Sequence, residues 1–143
     1  MDIVAKGGNF LLNIGPDSKG EFPEKAYDRL EKIGDWMKIN SEAIYSTRPI
    51  APFKETKVCF TQGKDGTIYA VYLADADEVC PPSKILLHSI CPDEGGDIRM
   101  LGVEERVKWE KVGKGVLISV PEKAVKDPPC SHAWTFKIVK KKA

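Results

Sequence analysis

The chain has 143 residues, enough for one ordinary domain, and its 42% hydrophobic and 30% charged residues are typical of a soluble globular protein. The formal net charge of +1 provides neither a basic field for nucleic acid nor an acidic field for cations, so no nucleic-acid partner is predicted. No apolar run reaches the ~20 residues of a membrane-spanning helix, and the start of the chain lacks the regions of a signal peptide, so no membrane partner is predicted.

The chain has four cysteines, which lie far apart in sequence: Cys59, Cys80, Cys91 and Cys130. They form no CxxC pair, and neither His88 nor His132 stands at a metal-ligand spacing from them. No metal site and no cofactor are therefore predicted. Buried free thiols are favoured, but disulfides stay open for an exported protein, because four cysteines permit three connectivities.

The first fifty residues contain one predicted strand and one predicted helix. Gly7 and Gly8 precede an apolar run over 10–14, which the turn at Gly15-Pro16 ends, and such a run favours a parallel strand buried on both faces. The helix is predicted over 23–40, where apolar residues recur at helical spacing: Ala26, Leu30, Ile33 and Met37. Because one strand and one helix cannot form a parallel sheet, the chain is predicted to open inside an α/β domain whose other strands are missing.

Two prolines in the stretch 47–52 predict a stiff extended linker and a domain boundary. Seven short strands are predicted after it, over 58–62, 67–73, 84–90, 98–101, 106–111, 116–120 and 133–139. Glycine-containing turns join the first pair at 63–66 and another pair at 112–115. The fold class is therefore mainly β, an antiparallel sandwich over 51–143 preceded by a short βα unit over 1–50. The basic tail, Lys137 and 140–142, is predicted to be a solvated terminus.

Three segments carry a resemblance to a known family. They are GGNFLLNIGP at 7–16, GEFP at 20–23 and RLEKIGDWMKINSEAIYSTRP at 29–49. Together they resemble the end of the catalytic domain of α-L-fucosidases, glycoside hydrolase family twenty-nine, and the β half is similar to that family's C-terminal sandwich. Ser41 and Ser46 stand where glycines are common in the family. These are changes in surface turns, so they leave the resemblance intact.

The resemblance implies a parent enzyme that hydrolyses terminal α-L-fucosyl residues of glycans with retention, on a (β/α)8-type barrel followed by the sandwich. Retention requires two carboxyl groups about 5–5.5 Å apart, and in the family both come from earlier parts of the barrel. The chain alone is therefore expected to contain no catalytic residue and to be inactive, and Asp17 is interpreted as a turn residue. Asn13 and Phe10 are the candidates for lining the sugar pocket. The family also implies export, to the periplasm, the lysosome or the medium.

A second hypothesis is that the sandwich is a carbohydrate-binding, lectin-like module. Tyr69, Trp109 and Trp134 are available to stack on a sugar, but all three lie in β patterns that favour packing in the core. An immunoglobulin-like interaction module has only the fold in its favour. Finally, the apolar faces of 1–49 have lost the barrel strands they pack on, so self-association through this barrel segment is expected.

Overall fold

Two antiparallel sheets form the molecule in the computed structural model, which describes residues 1–139. The five-stranded sheet has the order β1-β2-β3-β8-β5, with β1 Thr47–Glu55, β2 Val58–Gly63, β3 Ile68–Leu73, β8 Ala133–Val139 and β5 Asp97–Met100. The three-stranded sheet has the order β4-β7-β6, with β4 Lys84–Leu87, β7 Gly115–Ser119 and β6 Lys108–Val112. The predicted antiparallel sandwich and all seven predicted strands are confirmed.

The core lies between the two sheets and draws on both. Trp134 and Phe60 are 0% exposed and come from the larger sheet, while Val116 and Ile118 of the smaller sheet are equally buried. Trp134 also donates a hydrogen bond from Nε1 to the carbonyl of Cys130 at 2.8 Å, so its one polar atom is satisfied. Burying rings of this size stabilises the sandwich by removing large apolar surfaces from water.

The two predicted glycine hairpins form where expected. Between β2 and β3, Gly66 has a φ of +83°, and the carboxylate of Asp65 accepts hydrogen bonds from the backbone N–H and hydroxyl of Thr67 at 3.1 and 2.9 Å. These bonds lower the pKa of Asp65. Between β6 and β7, Gly113 has a φ of +61°, and positive φ at such turns is the reason for glycine there.

The segment 47–52, predicted to be a linker, is instead the start of β1. Thr47 pairs with Gly63 and Lys54 pairs with Cys59, and the register shifts between Pro49 and Lys54. β1 is an edge strand, so one of its sides has no neighbouring strand. Prolines, which lack a backbone N–H, are tolerated in such a strand because no hydrogen bond is required on that side. The sheet therefore already begins at Thr47, and the division of the chain at residue 50 stays a prediction.

Three helices are present among the described residues: α1 Asp2–Ala5, α2 Glu24–Asn40 and α3 Glu122–Lys126. A 3-10 turn over Ser41–Ala43 follows α2 directly. The predicted helix over 23–40 is confirmed, and α1 is a single helical turn that ends before Gly7, which has a φ of +84°. Sequence reasoning missed α3, which has only five residues.

The strand predicted over 10–14 does not form. Residues 8–17 carry no regular structure, and Phe10, Leu11 and Leu12 are 63%, 82% and 47% exposed. A parallel strand needs neighbours on both sides to pair its backbone groups. Those neighbours do not exist among the described residues, so the prediction of a buried strand is wrong for this chain.

Candidate functional site

Residues 8–23 hold the positions singled out as candidates for a sugar pocket. Asn13 is exposed and lines a surface groove of about 330 Å³ against the first turns of α2, including Ala26 and Leu30. Phe10 is exposed and lies outside the lining of that groove. The structure does not bring the two side chains into one site, and their role in a sugar pocket stays a prediction.

Asp17 lies in the loop that follows this segment. Its Oδ1 accepts hydrogen bonds from the backbone N–H groups of Lys19 and Glu21 at 2.8 and 3.0 Å. The backbone of Asp17 also pairs with Glu21 and Gly20, and Gly20 has a φ of +81°. A carboxylate occupied in this way stabilises a tight turn, which agrees with its interpretation as a turn residue.

The end of α2 and the 3-10 turn contact the sandwich, and this region (residues 36–43) is called the junction below. Trp36 donates a hydrogen bond from Nε1 to the carbonyl of Ala133 at 2.9 Å. Thr61 donates from its hydroxyl to the carbonyl of Ala43 at 2.8 Å, and Ala43 is fully buried. Trp36 therefore packs at the interface between α2 and the sandwich.

The junction is completed by a charged cluster on the outer face of the five-stranded sheet. The carboxylate of Glu42 accepts from the ammonium of Lys137 at 2.6 Å and from the hydroxyl of Tyr69 at 3.2 Å. Tyr69 is only 6% exposed, and burial, followed by the nearby Glu42 charge, raises its pKa to about 12. The outer face of the sheet is thus a second contact surface.

This covered face also buries polar side chains of β8. Alternation along β8 places Trp134 and Phe136 inward, with Thr135 and Lys137 on the opposite face. Thr135 is nevertheless only 1% exposed, because the opposite face faces the junction and not water. Polar residues on this face therefore do not mark solvent.

The three aromatics considered as sugar platforms differ in burial. Tyr69 and Trp134 are buried, as the preference for core packing predicted. Trp109 packs only partly against the core and lines a groove of about 680 Å³ together with Asp93 and Lys111. Because β6 is an edge strand of the smaller sheet, one side of the Trp109 ring has no strand to cover it, and the prediction of a fully buried ring is wrong.

Neither a metal-binding cluster nor a membrane-spanning helix occurs within residues 1–139. That range contains no group of three or more histidine, cysteine, aspartate or glutamate side chains able to hold a metal ion. None of its helices is long and apolar enough to cross a bilayer. All four cysteines are free thiols, and burial raises the pKa of Cys59 and of Cys130. Lys140 and the two lysines after it lie outside the described residues.

Two family models match the chain, one on either side of the start of the sandwich. The model described as alpha-L-fucosidase matches residues 1–42, and the model described as alpha-L-fucosidase C-terminal domain matches residues 52–139. The second match covers more than half of the chain.

Individual relatives agree with the family models. Tissue alpha-L-fucosidase of Mus musculus is 36% identical over 98% of this chain and 31% of its own length, and that of Homo sapiens is 34% identical over 96% and 29%. A crystal structure of Thermotoga maritima alpha-fucosidase in complex with a mechanism-based inhibitor has a TM-score of 0.80 at 28% identity, covering 97% of this chain and 32% of that one. The same enzyme in complex with fucose has a TM-score of 0.77 at 30% identity, with coverages of 96% and 32%. The chain thus spans about a third of the length of the relatives it matches.

Proposed function

The chain belongs to the α-L-fucosidase family as its C-terminal portion, and on that premise we propose that it supports the catalytic barrel of an enzyme that removes terminal α-L-fucosyl residues from glycans. In this proposal the residues that precede β1 complete the barrel, and the two sheets, from Thr47 to Val139, form the supporting sandwich. The observation that carries the proposal is the junction, which fixes one end of α2 to the sandwich while the rest of the helix keeps its apolar side chains exposed.

The exposed apolar surface of the N-terminal residues is evidence that they pack against another structural element in the full-length protein. Residues 1–42, which the alpha-L-fucosidase family model matches, contain eight large exposed hydrophobic side chains: Ile3, Phe10, Leu11, Leu12, Phe22, Tyr27, Leu30 and Ile33. The 97 described residues that follow contain five. An apolar surface concentrated in this way is typical of an interaction site, and the remainder of the barrel is the partner that the family supplies.

The proposed chemistry is hydrolysis with retention at the sugar carbon. It requires one carboxyl group as nucleophile and one as acid and base, about 5–5.5 Å apart. We assign both groups to the part of the enzyme that precedes Met1. In this chain Asp17 is committed to its turn, and Asn13 and Phe10 are proposed only to line or support the sugar pocket once the barrel is complete.

Three further features belong to the same proposal. The substrates are fucosylated glycans, bound through the full-length enzyme. The protein is exported, for which the relative named plasma alpha-L-fucosidase from Homo sapiens gives support. The isolated chain self-associates through the exposed face of residues 8–33, since an apolar surface without its partner tends to associate.

Hydrolysis of an aryl α-L-fucoside tests the function. The full-length protein should release α-L-fucose as the first product, observed by proton NMR before mutarotation, because two successive displacements retain the configuration. The 143-residue chain should show no turnover. Turnover by the purified chain that survives Asp17→Asn would show that the catalytic groups have been misplaced, and absence of fucoside hydrolysis by the full-length protein would contradict the proposal itself.

A carbohydrate-binding role for the sandwich is the second candidate, and the partial exposure of Trp109 is the observation in its favour. Titration of the chain with L-fucose should give no saturable change in tryptophan fluorescence, because Trp134 is buried, Trp36 is bonded to the sheet and Trp109 packs partly against the core. Saturable binding that Trp109→Ala abolishes, in a variant with an unchanged circular dichroism spectrum, would favour the lectin-like role over simple support.

A further inference from the structure

The two lateral sides of the sandwich differ. On one side β1 and β4 are the edge strands, and the carboxylate of Glu55 accepts hydrogen bonds from the backbone N–H groups of His88 and Ser89 at 2.5 and 3.2 Å. These bonds join the end of β1 to the residues that follow β4. On the other side β5 and β6 are the edges, and the groove of about 680 Å³ lies there between the loop at 91–95 and β6 with its hairpin. This second side is called the grooved side below.

Trp109 reaches the grooved side because of its position on β6. It pairs with Ile118 across the ladder, and Lys111 pairs with Val116. Ile118 and Val116 are 0% exposed in the core, so Trp109 and Lys111 point to the same inner face of the smaller sheet. Because β6 has no neighbour beyond it, these two side chains line the groove and are not enclosed by another strand.

The indole of Trp109 differs from the other two indoles in its hydrogen bonding. Trp36 and Trp134 donate from Nε1 to backbone carbonyls at 2.9 and 2.8 Å. The Nε1–H of Trp109 has no acceptor within residues 1–139. A buried indole N–H usually finds a partner in the protein, so this donor is available to water or to a ligand in the groove.

Two acidic and two basic side chains surround this indole. Asp93 and Glu94 line the groove from the loop, and Lys111 and Lys114 line it from β6 and the hairpin. All four are exposed, and none forms a side-chain hydrogen bond or ion pair with another described residue. Carboxylates accept hydrogen bonds and ammonium groups donate them. The groove therefore offers donors and acceptors in balanced charge around an aromatic surface.

From these observations we propose that the grooved side binds a neutral oligosaccharide, with one sugar ring stacked on the indole of Trp109. The balanced lining favours neither an anion nor a cation, and a ring that presents C–H groups to an aromatic face and hydroxyls to its surroundings matches both kinds of group. The inference rests on the proposed function, because the sugars beyond fucose in a fucosylated glycan are the ligand of this class that the enzyme meets. It assigns the sandwich a binding role in addition to support.

The size of the groove sets the length of the ligand. Its volume falls in the range of sites that enclose a whole drug-sized molecule, which is larger than one sugar ring. A single ring on Trp109 would not contact both the loop and the hairpin. We therefore expect no saturable binding of L-fucose alone and saturable binding of a neutral disaccharide.

Indole N–H resonances of the 143-residue chain test the inference, because its three tryptophans give three separate signals. N-acetyllactosamine, a neutral disaccharide, should shift the signal of Trp109 saturably at millimolar concentration. The signals of Trp36 and Trp134 are internal references and should not move, since both N–H groups are bonded to carbonyls. A sulfated disaccharide of the heparin type and L-fucose are the comparison ligands, and neither should give a saturable shift.

Substitutions in the groove and outside it sharpen the result. Trp109→Ala should weaken disaccharide binding about tenfold or more, measured by calorimetry. Lys111→Ala and Glu94→Ala, which alter exposed side chains, should each weaken it about tenfold. Lys108→Ala and Glu110→Ala are matched controls on β6 that lie outside the groove lining, and they should leave the affinity unchanged.

Four results would overturn the inference. They are an unshifted Trp109 signal with N-acetyllactosamine, equal shifts of all three indole signals, a larger response to the sulfated disaccharide, and equal losses of affinity in the groove variants and their controls. Hydrolysis of the aryl α-L-fucoside by the full-length protein is measured separately and does not involve the groove. A failure here is therefore distinct from a failure of the proposed function.

Discussion

Two phenylalanines show how differently the two regions of this molecule are stabilised. Phe60, in β2, is 0% exposed between the sheets, whereas Phe10, in the N-terminal segment of residues 8–35, is 63% exposed. The two side chains are chemically identical, so their difference in exposure comes from the residues available to pack against each of them. The sandwich supplies both faces of its own core, while the N-terminal segment has its apolar pattern but lacks the strands to pack on.

The junction separates these two behaviours within one helix. At the end of α2, Asn40 is 0% exposed and Trp36 bonds to the sheet, but ten residues earlier Leu30 is 38% exposed. An amphipathic helix gains most of its stability from tertiary packing. The last turn of α2 is therefore stabilised by the sandwich, whereas its earlier turns find no such packing among the described residues.

The largest expected difference comes from truncating the two phenylalanines. Phe60→Ala should lower the free energy of unfolding by about 3–5 kcal/mol, because it leaves a cavity in a closed core. Phe10→Ala should change it by less than about 0.5 kcal/mol, as for an ordinary surface position. Urea denaturation of both variants measures the contrast. A similar decrease in the free energy of unfolding for both variants would show that residue 10 is packed in solution and would contradict the contrast between the two regions.

A smaller effect is expected at the junction. Trp36→Phe removes the donor to the carbonyl of Ala133, so the free energy of unfolding should fall by about 1 kcal/mol. Tyr27→Phe, an exposed aromatic change on the same helix, is the matched control and should be neutral. Hydrogen exchange of the last turn of α2 should accelerate only in Trp36→Phe. If exchange is unchanged, the helix end is held by contacts other than this bond.

The last effect is confined to alkaline pH. The pKa of Tyr69 is raised from 10.0 to about 12 in the folded state, so the unfolded chain loses this proton first as pH rises. The associated stability is fully present below pH 10 and is lost between about pH 10 and 12. Chemical denaturation across that window should show a decline that is shallower in Tyr69→Phe. An identical decline in both proteins would contradict the role of Tyr69 in the junction.

The sandwich could be predicted from sequence because its signals are local. Gly66 and Gly113 mark the hairpins, and alternation along β8 places Trp134 inward, so neighbouring residues suffice to predict strands and turns. β1 was missed because Pro49 and Pro52 suggest a linker, and only the edge position of the strand makes them acceptable. Trp109 was predicted to be buried because its β pattern does not reveal that β6 is also an edge.

The candidate site was less predictable because it depends on distant residues. The run at 10–14 has the composition of a buried parallel strand, but the partners that would bury it are absent from the described residues. The bonds of Glu42 to Tyr69 and Lys137 join positions 27 and 95 residues apart. No local sequence pattern predicts such pairs. Glu42 does lie within the stretch 29–49 that resembles the family, and this resemblance indicated that the turn packs against defined neighbours.

Hydrogen exchange compared between the isolated chain and the full-length protein tests the central claim most directly. In the isolated, monomeric chain, amides of β2, β3 and β8 should exchange slowly, and those of residues 8–33 should exchange rapidly, since local opening needs little energy where few apolar groups are buried. In the full-length protein residues 8–33 should become as slow as the sandwich, because the barrel covers them. Equal protection of both regions in the isolated monomer, or continued rapid exchange of residues 8–33 in the full-length protein, would contradict a self-sufficient sandwich that supports a dependent barrel segment.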